Sequence, residues 1–107
     1  MSVLLEFSMF PTSSECVEGA SVSKQVSKVI DAIDKSGVAY QLTPMGTVVE
    51  TDTLQETLDI IALAYAQLER CERVYASLKL DIRKNTKQRL KTKIASVENK
   101  LGKNVNR

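Results

Sequence analysis

The order of hydrophobic periodicities along the 107 residues constrains the fold more than any other feature of the sequence. Residues 2–9 alternate between apolar and polar side chains, the pattern of a strand with one buried face. Residues 19–36 carry apolar side chains at helical spacing, with Gly37 at the C-terminal cap position. The apolar positions of the two segments are Val3, Leu5, Phe7, Met9, Val22, Val26, Val29, Ile30 and Ile33. A strand followed by an amphipathic helix is therefore predicted.

The rest of the chain repeats this alternation of periods. Segments 38–43 and 47–51 flank the turn at Pro44-Met45-Gly46, and we expect them to form an antiparallel hairpin. The later predicted elements are a helix capped by Asp52 or Thr53 and extending to about Arg70, a strand over 74–83, and a helix over about 86–101. Their expected buried residues are Leu54, Leu58, Ile61, Ala62, Tyr65 and Leu68; Val74, Ala76, Leu78, Leu80 and Ile82; and Leu90, Ile94, Val97 and Leu101.

The first six elements follow the order β-α-β-β-α-β, which is the split βαβ, or ferredoxin-like, arrangement. Right-handed crossovers place both helices on one face of a four-stranded antiparallel sheet. The sequence thus predicts an α+β fold: a ferredoxin-like βαββαβ sandwich plus a C-terminal helix, in one domain covering residues 1–107. The six-element core offers no place for the last helix, which we expect to fold across a sheet edge or dock on another subunit.

Composition excludes most familiar chemistry. The chain has no histidine, hence no Ser–His or Cys–His dyad and no imidazole ligand for a metal. Cys16 and Cys71 lie 55 positions apart with no zinc-site spacing, and two free thiols are expected. Residues 1–9 do not resemble a signal peptide, and no stretch has the length of a membrane span. We expect a cytoplasmic protein with no metal and no cofactor.

The net charge of +2 hides a strong asymmetry. Residues 83–107 contain nine Lys and Arg residues and Glu98 as their one acid, so this segment is +8 and the first 82 residues are −6. With only five aromatic residues, none of them tryptophan, nucleic acid is an unlikely partner. A solvated face or a contact between subunits explains the asymmetry better.

Two carboxylates, Glu6 and Glu50, lie on strands that this topology can make neighbours. They could accept hydrogen bonds in a small-molecule pocket, act as an acid/base pair, or be surface groups paired with Lys79 and Arg83. Thr47, which follows the Pro44–Gly46 turn, would place a hydroxyl at a strand start beside such a pocket.

Several stretches resemble the thiamine-binding family of small ferredoxin-like proteins, long treated as an uncharacterised family. They are EFSMFP at 6–11 with SVS at 21–23, SGVAYQLTPMGTVVE at 36–50, and RV at 73–74 with KLDIR at 79–83, Lys93 and Ser96-Val97. The resemblance covers nearly the whole chain and is most specific over 36–50. It implies a cytoplasmic, non-enzymatic protein that assembles as dimers and commonly tetramers, and that binds thiamine or its hydroxymethylpyrimidine moiety.

Aminopyrimidine chemistry makes a carboxylate the natural partner of the exocyclic amine and ring nitrogen. The implied ligand-binding residues are Glu50 first and Glu6 second, with Thr47, Ser8, Ser21 and Ser23 on the ring polar atoms and Tyr40 or Phe10 against the ring face. The cationic thiazolium of thiamine favours an acidic, aromatic-lined site over the basic C-terminal segment. The alternative is a structural or regulatory homo-oligomer whose basic C-terminal helix mediates protein–protein contacts.

Overall fold

A computed structural model describes residues 1–17 and 23–105, and it has the predicted element order. The strands are β1 (Ser2–Pro11), β2 (Ala39–Thr43), β3 (Gly46–Thr51) and β4 (Val74–Arg83). The helices are α1 (Ser23–Ser36), α2 (Leu54–Ala66) and α3 (Arg89–Leu101), with a short 3-10 turn at Ser14–Cys16. The strands form one antiparallel sheet in the order β2-β3-β1-β4. The predicted α+β fold is confirmed.

Strand β1 is the centre of the sheet because it pairs with β3 on one side and β4 on the other. Its alternation directs one set of side chains toward α1 and α2, and Leu5, opposite Val49 and Leu80, is fully buried there. The core of this layer consists of Leu5, Phe7, Met9, Val29, Ile33, Val49, Ile60, Ala64 and Leu68. The expected inward face of β1 is confirmed.

Helix α2 buries only part of the expected stripe, since Ile61 and Leu68 pack on the core but the other large residues do not. Its buried residues are Thr57, Ile60 and Ala64, whereas the predicted stripe leaves Leu54, Leu58 and Tyr65 exposed. Thr57 is accommodated because its hydroxyl lies 2.6 Å from that of Thr51 in the core. The helix also ends at Ala66 and not near residue 70. Its start was predicted correctly, since the Thr53 hydroxyl accepts the Glu56 amide.

Strand β4 lies at the edge of the sheet, and its predicted inward residues are not buried. Register places Leu78, Leu80 and Ile82 on the same face as the core residues of β1, but all three are at least 40% exposed. Helices α1 and α2 pack mainly over β1 and β3 and leave this edge uncovered. Alternation therefore predicted the side that these residues face, but not their exposure.

Helix α3 crosses the second face of the same sheet, where it contacts β1 and β2. Its Leu90 and Ile94 are half-buried and line a cavity together with Leu4 and Val48 of the sheet, while Val97 and Leu101 stay about half exposed. The helix begins at Arg89, three residues later than expected. The sheet is thus covered by α1 and α2 on one face and by α3 on the other.

The expectation of two free thiols was wrong, because Cys16 and Cys71 form a disulfide. Pairing of β1 with β4 brings the loops that carry them together, and their Cα atoms lie 5.9 Å apart. A separation of 55 positions conceals this proximity. Disulfides are rare in most cytosolic proteins, so this bond does not support the expected cytoplasmic location, which stays a prediction. Across the described residues, no helix is long and apolar enough to cross a membrane.

Candidate functional site

A cavity of about 180 Å³ lies between the hairpin turn and the first turns of α1. The sheet contributes Phe7 and Met9, and the helix contributes Val26, Val29 and Ile30. Residues 42–47 of the hairpin close the remaining side. None of the residues lining it is charged, so we call it the neutral cavity. Its size suits a single ring, because pockets for drug-sized ligands start near 300 Å³.

The hairpin turn that borders the neutral cavity is held by its own side chains. The Thr43 hydroxyl accepts the amides of Met45 and Gly46 and donates to the Gly46 carbonyl at 2.8 Å. A Cβ on Gly46 would lie 2.8 Å from the Phe7 carbonyl oxygen, so glycine permits the turn to approach β1. The following residue, Thr47, is thereby fixed at the cavity wall.

Thr47 is only 4% exposed and lines the neutral cavity. Its hydroxyl has no hydrogen bond to any other residue in the described structure. The hydroxyl is not among the buried side-chain atoms that lack a partner, so it is accessible and available to a ligand. Ser8 borders the same cavity, but alternation along β1 directs its side chain to the other sheet face. Ser21 lies outside the described residues, and of Ser23 only the backbone is described.

A second polar group at this end of α1 was missed from the sequence. Gln25 is 7% exposed, and its side-chain oxygen lacks a hydrogen-bond partner among the described residues. Gln25 does not line the neutral cavity. It lies next to Val26 and one helical turn before Val29, and both of these residues line the cavity. A glutamine on the otherwise apolar stripe that α1 buries is the signal that could have identified it.

Glu50 does not reach the neutral cavity, because it lies on the opposite face of β3 from Thr47. Its carboxylate accepts the Ser2 hydroxyl and the backbone amides of Arg89 at 2.9 Å and Leu90 at 3.2 Å. Burial alone would raise the pKa of Glu50, but these hydrogen bonds and the Arg89 charge outweigh it and lower the pKa. Glu50 therefore caps α3, a role that sequence spacing does not reveal.

Arg89 completes this attachment of α3 and is buried. Its guanidinium donates to the Ser2 hydroxyl and carbonyl, and to both the carboxylate and the carbonyl of Asp81. The Arg89–Asp81 ion pair has an N–O distance of 2.7 Å. A buried arginine whose donors are matched in this way fixes the helix start precisely over β1 and β4.

Glu6 and Tyr40, the remaining predicted residues, have partners of their own. Glu6 forms an exposed ion pair with Lys79 at 3.2 Å, the surface alternative that the sequence left open. The Tyr40 hydroxyl donates to Asp34 at 2.7 Å, and this hydrogen bond raises the pKa of Tyr40. The predicted set is thus divided between the two faces of the sheet, and one small molecule cannot contact all of it.

A larger cavity of about 630 Å³ separates α3 from the second sheet face. Its floor is apolar, with Leu4 and Val48 facing Ile94. Its rim carries Lys79, Arg89 and Lys93 against the acids Glu6 and Asp81. The excess of positive charge disfavours a cationic ligand such as thiamine. Among the residues that the structure describes, no group of three or more acids and cysteines could hold a metal ion.

The structure is a small α+β domain with a neutral cavity of about 180 Å³ beside its hairpin. A family model described as "Thiamine-binding protein" matches residues 5–98, so the chain belongs to this thiamine-binding protein family. The resemblance seen in the sequence is confirmed.

Relatives and solved structures agree with this membership. The UPF0045 protein MJ1052 of Methanocaldococcus jannaschii is 35% identical over 96 residues, which cover 89% of this chain and 91% of that protein. Its crystal structure matches with a TM-score of 0.73 at 34% identity, covering 90% of this chain and 95% of that one. A UPF0045 protein of Methanothermobacter thermautotrophicus is 31% identical over 83 residues, 76% of this chain and 84% of its own length.

Proposed function

We propose that this chain binds thiamine or its hydroxymethylpyrimidine moiety without catalysing a reaction on it. The observation that carries the proposal is Thr47, a nearly buried residue in the wall of the neutral cavity whose hydroxyl is accessible and makes no hydrogen bond to another described residue. Membership of the thiamine-binding family supports the ligand class.

The neutral cavity suits the pyrimidine end of thiamine. A flat ring fits between apolar side chains of β1 and α1, with Phe7 in the wall. The Thr47 hydroxyl can donate to a ring nitrogen or accept from the exocyclic amine. The thiazolium would then extend toward the exposed Met45, away from the lysines beside α3.

Replacing Thr47 by valine tests this placement directly. Thr47→Val keeps the shape of the side chain and removes the hydroxyl, so thiamine affinity should fall about tenfold, the upper range for one neutral hydrogen bond. Thr47→Ser keeps the hydroxyl and should retain most of the affinity. Isothermal titration calorimetry measures both, with far-UV circular dichroism to verify folding.

Two results would count against the proposal. Folded wild-type protein that gives no heat with millimolar thiamine or hydroxymethylpyrimidine does not have the function. Equal affinity of the wild type and Thr47→Val would show that the ligand lies elsewhere, and Gln41→Leu, in the wall of the larger cavity, would then be the informative variant.

A structural or regulatory homo-oligomer remains the alternative function. Val97 and Leu101 leave part of the basic helix α3 apolar and exposed, as a protein contact would require. Deletion of residues 86–107 should then change the number of subunits per particle, calculated from the mass measured by light scattering. An unchanged number of subunits would exclude α3 from the assembly contacts.

A further inference from the structure

The larger cavity beneath α3 has a size and a lining that the proposed function does not use. Its volume of about 630 Å³ lies within the range of roughly 300–1,000 Å³ that is typical of small-molecule sites. Both walls contribute apolar side chains, among them Leu4, Val48, Leu90, Ile94 and Val97. Such a lining favours an elongated apolar group, because burying hydrocarbon removes it from water.

The chain that follows α3 folds back and adds to the apolar wall. Gly102 ends the helix with a positive φ of 72°, and its amide donates to the Glu98 carbonyl at 2.8 Å. The Val105 amide then donates to the Glu98 carboxylate at 2.8 Å, and Val105 lines the cavity. After Lys93, every described residue of this segment that lines the cavity is therefore aliphatic.

Four of the five charged residues that line the cavity are paired with one another. Lys79 lies 3.2 Å from Glu6, and Arg89 lies 2.7 Å from Asp81. The fifth is Lys93, whose ammonium forms no ion pair or hydrogen bond with another residue in the described structure. The lining therefore carries one positive charge that no described residue compensates.

Lys93 lies on the face of α3 that is directed toward the sheet. It recurs at helical spacing with Leu90, Ile94 and Val97, and all four residues line the cavity. Lys93 is itself exposed, so its ammonium borders the opening. The neighbouring Lys91 does not line this cavity. A cation at the opening of an apolar cavity is suited to the head group of an amphipathic anion.

The acids at the rim restrict the charge of that head group. A carboxylate has one negative charge, which matches the uncompensated ammonium of Lys93. A phosphate monoester carries about −1.5 to −2 at pH 7, and Glu6 and Asp81, which already have partners, would repel the excess. A cationic head group would be repelled by Lys93. The cavity therefore favours a monoanion attached to an apolar chain.

We propose that the larger cavity binds an aliphatic carboxylate, with its chain between α3 and the second sheet face and its head group on the ammonium of Lys93. Arg89 is not the anchor, because its guanidinium already donates to Ser2 and Asp81. The site lies on the other face of the sheet from the neutral cavity. It therefore goes beyond the proposed function and is independent of it.

Isothermal titration calorimetry of the full chain with decanoate tests the ligand class. Decanoate should bind saturably below millimolar concentration, and octanoate about tenfold more weakly, since each buried methylene changes affinity about fourfold. Decyltrimethylammonium and decyl phosphate carry the same chain and should bind at least tenfold more weakly than decanoate. No heat from folded protein with millimolar decanoate overturns the proposal, as does equal or tighter binding of either other head group.

A matched pair of lysine variants on α3 tests the site. Lys93→Glu should weaken decanoate binding at least tenfold and strengthen the binding of decyltrimethylammonium. Lys91→Glu changes the net charge equally from outside the cavity and should keep decanoate affinity within twofold of the wild type. Circular dichroism verifies folding, and Lys93→Met, which removes the charge alone, should also weaken decanoate binding. Equal decanoate affinities of Lys93→Glu and Lys91→Glu overturn the site.

Thr47→Val separates this site from the neutral cavity. The variant should bind decanoate as the wild type does, because Thr47 does not line the larger cavity. Loss of decanoate affinity in Thr47→Val but not in Lys93→Glu would place the carboxylate in the neutral cavity and overturn the proposal. Absence of thiamine binding would leave the decanoate result unchanged, so the two proposals fail separately.

Discussion

Glu50 shows at the scale of one residue what sequence could and could not predict. Its place on a strand beside β1 was predictable from periodicity and topology, and the register pairs it with Leu4. Its role as a cap of α3 was not predictable, because the groups that it binds belong to Ser2 and to the start of α3, about 40 to 50 positions away. A carboxylate that seemed free for a ligand is used to anchor a helix.

We predict that Glu50→Gln loosens α3 without unfolding the sheet. Loss of a charged cap at a helix N-terminus costs about 1–2 kcal/mol. Amide hydrogen exchange should be faster throughout α3 in this variant and unchanged in β1 and β3. Glu6→Gln, a carboxylate on the same sheet face with an exposed ion pair, is the control and should leave α3 protection as it is.

The same contact predicts a pH dependence. The pKa of Glu50 is lowered from its ordinary value of 4.5, so its stabilisation of α3 is present above that value and is lost as the pH falls through the folded-state pKa. Protection of α3 amides in the wild type should decline below about pH 4.5, the unfolded-state value. The Glu50→Gln variant should show no such decline, and an equal decline in both would contradict the assignment.

At the scale of elements, the strands and the hairpin were predicted well, because two-residue periodicity and Pro-Gly turns are local signals. The buried face of α2 was predicted only in part: Ile61 and Leu68 pack in the core as expected, but Thr57 is buried with a hydroxyl partner on β3 while Leu54 and Leu58 stay exposed. The position of α3 was not predictable either, because it depends on the contacts of Glu50 and Arg89 with distant strands.

The disulfide beside one end of the β1–β4 pair gives a prediction at this scale. The Cys16–Cys71 disulfide closes a loop with a sequence separation of 55. Loop-closure entropy for that length corresponds to about 4 kcal/mol of unfolding free energy. Urea unfolding of the Cys16→Ser, Cys71→Ser variant should show a loss of this order, with the ferredoxin-like sheet retained. A midpoint equal to that of the oxidised wild type would contradict it.

At the scale of the whole molecule, the split of charge along the sequence corresponds to a separation in space. The basic C-terminal segment lies over one sheet face, where Lys93 and Arg89 border the larger cavity. The opposite layer holds the neutral cavity, with Thr47 in its wall. The charge asymmetry read from the sequence thus corresponds to two chemically different cavities, one bordered by more bases than acids and one lined by no charged residue.

A titration of ¹⁵N-labelled protein with hydroxymethylpyrimidine, followed by NMR, tests the central claim most directly. The account predicts saturable shifts of the Met45, Gly46 and Thr47 amides and of the first turns of α1, with α3 unaffected. Shifts confined to Leu90, Ile94 and their neighbours in α3, or none at millimolar ligand, would contradict it.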